Sequence, residues 1–100
     1  MEKVEQFYNK NQFLIKGDNG TTFQSYESTI ANINKDGKLK LFADWDYSHT
    51  TSKHLYLFLN DYLYLLNYET RCEVYDALNS SNKRKAIQKL IDKKLIKYEQ

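Results

Sequence analysis

Apolar and polar positions along this 100-residue chain follow two periods, near two in the first half and near 3.6 in the second. Residues 1–10 are polar and predict only a frayed end or a short helical turn. Phe13-Leu14-Ile15-Lys16 then reads as a strand, with Phe13 and Ile15 on one side. The turn Gly17-Asp18-Asn19-Gly20 tolerates positive φ and folds Thr21–Tyr26 back as a second strand. Glu27-Ser28 marks the next reversal, and Thr29–Ile33 makes a third strand. Asp36-Gly37 is the strongest short hairpin signal, and it leads into Lys38–Phe42 with Leu39 and Leu41 inward. Together these segments predict a four-stranded antiparallel meander over about residues 11–43, polar on one face and apolar on the other.

A sheet with one apolar face needs a cover. Leu55, Phe58, Leu59, Tyr62 and Leu66 recur at helical spacing, and Thr50, Thr51 and Ser52 offer N-caps ahead of them. That helix is expected to run into the sixties unless Asn60-Asp61 ends it. Cys72, Val74, Tyr75 and Leu78 suggest a short second helix. A third, over about 81–94, buries Ala86, Ile87, Leu90 and Ile91, and Leu95–Tyr98 offers a short closing strand. The expected fold is α+β in a single domain over 1–100, a sheet packed against two or three C-terminal helices over about 51–94.

Composition narrows the class. Aromatic residues make up 15% of the chain and supply a large buried area for one modest core. Cys72 is the sole cysteine, and no leader-like or membrane-length apolar run occurs. The expectation is therefore a reducing cytoplasm with no membrane association. Net charge is +2, unevenly placed: residues 83–97 hold seven basic residues against Asp92 alone, whereas residues 1–82 are net acidic.

Phe23-Gln24-Ser25-Tyr26, Ile30-Ala31 and the run Trp45-Asp46-Tyr47-Ser48-His49-Thr50-Thr51-Ser52-Lys53-His54-Leu55 with Phe58-Leu59 resemble a group of small proteins from phages and mobile elements of Gram-positive bacteria. That group is a domain of unknown function. The resemblance covers residues 23–59 and implies an accessory protein with host-takeover or anti-defence roles. It assigns no chemistry.

The polar run from Ser48 to His54 supports two readings. Its hydroxyls, Lys53 and the first helical N–H groups suit an anion, but the same residues suit helix capping beside a packed Trp45/Tyr47 anchor. His49 and His54 diverge on a helix, Cys72 lies in no nucleophile motif, and no set of ligands has metal spacing. The chain is thus expected to be non-enzymatic and free of cofactor or metal. The leading expectation is stoichiometric binding of a host or defence-system protein or nucleoprotein, of anti-CRISPR type, through Trp45, Tyr47, His49, Lys53, His54, Tyr56 and Tyr64. The alternative is a nucleic-acid-binding regulator using Lys83, Arg84, Lys85, Lys89 and Lys93, whose helix followed by Leu95–Tyr98 resembles the recognition helix and wing of winged-helix domains. The oligomeric state is left open.

Overall fold

The computed structural model describes residues 2–100. A six-stranded sheet runs in sequence order: β1 (Lys3–Phe7), β2 (Asn9–Gly17), β3 (Gly20–Ser25), β4 (Ser28–Ile33), β5 (Leu39–Phe42) and β6 (Lys97–Glu99). The first five strands are antiparallel, and β6 joins β5 in parallel with Lys40 opposite Lys97. Helices α1 (His49–Asp61), α2 (Tyr68–Leu78) and α3 (Lys83–Asp92) lie between β5 and β6 in the chain. The architecture is α+β with the sheet preceding the helices, as the periodicity predicts.

Cross-strand pairs define the inner face. Leu14, Phe23, Ala31 and Leu41 stand opposite one another across β2 to β5, with Thr21, Ile33 and Leu39 as the next row. The β3–β4 register shifts beside Phe23, so that Ile30 becomes an extra residue and both Ile30 and Ala31 point inward. Phe13 and Ile15 do share a face, but it is the outer one; Gln12 and Leu14 hold the inner positions. From α1, Phe58 stacks on Phe23 at 5.5 Å, and Phe7 meets both rings edge-on. Leu55, Leu59, Val74, Ile87, Leu90 and Ile96 complete one continuous core.

Three expectations need correction. Residues 3–7 form an edge strand instead of a frayed end or helical turn, because Phe7 is buried among aromatic rings while its neighbours stay in solvent. α2 buries Thr70, Val74 and Ala77, leaving Cys72 and Tyr75 exposed, because its small residues allow close approach. The last segment is no wing: Lys97–Glu99 is the short closing strand, added in parallel to β5, and with β1 it extends the meander to six strands.

Candidate functional site

Residues 43–48 link the sheet to α1, and Trp45 anchors them. Its side chain is 2% exposed, and its backbone N–H donates to the Phe42 carbonyl at 3.0 Å. Ser48 caps α1 by accepting the Thr51 N–H at 3.1 Å, and its hydroxyl also bonds the Thr51 hydroxyl. Part of the hydroxyl cluster is thus spent on capping. His54, only 9% exposed, lies against its own helix, with Nδ1 2.9 Å from the Thr50 carbonyl oxygen. That acceptor fixes Nδ1 as the protonated nitrogen. Trp45 and His54 therefore belong to the interior and are removed from the expected contact surface: burial of the indole anchors the link, and the His54 ring lies on the buried stripe of α1 with Leu55, Phe58 and Leu59.

With Trp45 held inside, Tyr47 is thrown outward and is 79% exposed. It forms a ridge between two grooves. The first, about 760 Å³, lies between α1 and the start of α3. It brings together Tyr47, His49, Lys53 and Tyr56 of the expected contact set with Lys83 and Arg84 of the alternative set, over a floor that includes Leu57 and Leu78. Arg84 donates from Nε (2.9 Å) and from its terminal nitrogen (2.8 Å) to Asp46 Oδ2, tying α3 to the link. Burial pushes the Tyr56 phenol above its ordinary value, against the nearby Arg84 charge. The first turns of α1 and α3 contain no acidic residue, so their positive dipole ends add to the lysines at this groove.

The second groove, about 780 Å³, lies across the ridge, where β2, the β3–β4 turn and the link meet. Tyr26 and Tyr47 flank it, and its charged residues are Glu27 and Asp44. Tyr26 is held at φ 56°, its N–H donating to Asn11 (2.7 Å) and its carbonyl accepting from Gln24 Nε2 (2.8 Å). Sequence reading did not single out Tyr26, Glu27 or Asp44 as site residues; the signal was a bulky residue in a turn that takes left-handed backbone.

The remaining candidates disperse. Tyr64 is exposed but lines neither groove. Lys85, Lys89 and Lys93 follow one another along a different face of α3 from Lys83 and Arg84, and Lys93 meets Glu73 of α2 at 3.6 Å. Among the described residues no helix is long and apolar enough to cross a membrane, and no three His, Cys, Asp or Glu side chains gather as a metal site would require.

Residues 1–74 match the model described as "Family of unknown function (DUF8033)". The chain belongs to this family. All of the second groove falls within the DUF8033 span, whereas the first draws Leu78, Lys83 and Arg84 from beyond it. No curated protein and no solved structure matches the chain.

Proposed function

We propose that this DUF8033 protein acts by stoichiometric binding, holding an acidic segment of a partner protein in the groove between α1 and α3. The observation that carries this reading is the convergence of Tyr47, His49, Lys53, Tyr56, Lys83 and Arg84 around an apolar floor. Tyrosine and arginine beside such a floor are the side chains that dominate protein interfaces. The surrounding cations and helix ends favour an anionic guest and speed its capture. Together with the resemblance to phage and mobile-element proteins, this supports an accessory role in the bacterial cytoplasm: occupying a defence-system protein and inhibiting it, as an anti-CRISPR-type protein does.

The nucleic-acid reading keeps one supporting observation. Lys83, Lys85 and Lys89 have no ion-pair partner among the described residues. Pull-down from bacterial lysate with tagged protein, with and without nuclease, separates the two readings. The binding proposal expects a defined protein that survives nuclease and is lost with Tyr47→Ala or Lys53→Glu. Recovery that disappears with nuclease, and that falls with Lys85→Glu and Lys89→Glu while Tyr47→Ala has no effect, would instead favour phosphate contacts.

A further inference from the structure

The groove on the other side of Tyr47 has the opposite character. Its lining includes Glu27 and Asp44 but no lysine, arginine or histidine. Neither carboxylate has an ion-pair partner among the described residues. Two exposed phenol rings, Tyr26 and Tyr47, rise beside them. Phe13 and Ile30 add apolar wall. Ser25 also lines the groove; it is only 3% exposed, and its Oγ has no hydrogen-bond partner. Gln12, directly opposite Ser25 across the β2–β3 pair, carries the other buried side-chain oxygen without a partner. A buried hydroxyl normally has a partner, so an orphan at the wall of an acidic, aromatic cleft points to a polar group arriving from outside.

We propose that this groove holds an arginine side chain of the partner protein, seated between Tyr26 and Tyr47 with its guanidinium donating to Asp44, Glu27 and Ser25 Oγ. This deepens the reading of the Tyr47 ridge as the face turned toward a partner, and it adds a basic residue to the acidic segment expected across the ridge. Arginine fits better than lysine on three counts. Its five N–H donors serve two carboxylates and a hydroxyl at once, its planar head stacks on phenol rings, and it gives up hydration more readily than an ammonium. Its methylene stem suits the partly exposed Phe13. A partner surface that sets a basic side chain beside acidic ones matches the paired grooves in charge, and such alternation gives register as well as affinity.

The test is an amide-resolved NMR titration of the full chain with N-acetyl-arginine amide, and in parallel with N-acetyl-lysine amide. A single side chain of this size is expected to bind with a dissociation constant on the order of millimolar. Saturable shifts should centre on Ser25, Tyr26, Asp44 and Tyr47, with lysine at least several-fold weaker. Asp44→Asn and Tyr26→Ala should each weaken arginine several-fold. Ser25→Ala removes an unpartnered hydroxyl, so it should fold; it should lower arginine affinity and narrow its advantage over lysine. Shifts that do not saturate by about ten times the expected constant, shifts centred outside this groove, or equal affinity for the two amides would overturn the assignment. The titration reads the acidic groove alone, so it can fail while the lysate capture succeeds, and the converse.

Discussion

Among the described residues three other than glycine sit on left-handed backbone, Tyr8 (φ 62°), Tyr26 (φ 56°) and Lys94 (φ 66°), and each marks a place where a local rule yields to something larger. Lys94 follows α3 in a Schellman ending: its N–H donates to Ile91 (2.9 Å), and that of Leu95 donates to Leu90 (3.1 Å). Glycine is the usual residue there, so Lys94→Gly is expected to stabilise the fold by about 1 kcal/mol. In thermal melts that is a rise of roughly 4–8 °C. Tyr8 is tied down instead by its hydroxyl, which donates to Asp61 Oδ2 at 2.7 Å, and this bond pushes its phenol above the ordinary value. A raised folded-state value favours the neutral form, so the Tyr8 contribution is intact below the unfolded phenol value, about pH 10, and fades as pH rises through the folded one. Melts of Tyr8→Phe against the wild-type chain should therefore show a gap at neutral pH that narrows in strong alkali. Residue identity was a partial guide to the site. Tyr47, which the capping reading packs beside Trp45, is exposed together with Lys53, whereas Trp45 and His54 stand among the same polar neighbours and turn inward. Alternation in so short a link carries no information about which side chain anchors it.

Elements differed in how plainly the sequence showed them. The Asp36-Gly37 hairpin was legible because positive φ leaves few choices, and Gly37 sits at φ 79°. What the dipeptide could not show is its second contact: the Gly37 carbonyl accepts the Asn67 N–H at 2.9 Å, and a Cβ at Gly37 would lie 2.5 Å from that same nitrogen. Gly37→Ala should thus disturb both the hairpin and the capping residue of α2, costing more than about 1 kcal/mol in denaturant melts. α1 was readable from Leu55, Phe58 and Leu59, but it does not run through the sixties: it stops at Asp61, and Tyr62 and Leu66 of the expected stripe lie beyond its end. β1 was not, because an edge strand with one buried residue in five has no period to detect. The inward face of α2 was misread for a related reason: Thr70 and Ala77 carry little apolar weight, yet they pack more closely than Tyr75 can.

At the scale of the whole molecule, the family span and the folding unit differ. DUF8033 similarity ends at residue 74, but Ala77, Ile87, Leu90 and Ile96 lie in the same core as Phe23 and Leu55. A fragment of residues 1–74 is expected to show no cooperative thermal transition, because it would leave in water the core side chains that Ala77, Ile87, Leu90 and Ile96 pack against. Far-UV circular dichroism during heating checks this; a sharp melt would show the meander and α1 to be self-sufficient. The parallel strand at the far edge has a consequence for how the protein is made. β5 has its neighbour β4 as soon as the hairpin closes, but its other edge waits for residues 97–99, which follow it only after three helices. Until then a nascent chain carries an open row of backbone donors and acceptors, a template for pairing with another nascent chain. Long-range closure of this kind is also slow relative to hairpin formation. The yield of native protein should therefore respond to synthesis rate and crowding on the polysome more than the stability of the finished fold would suggest.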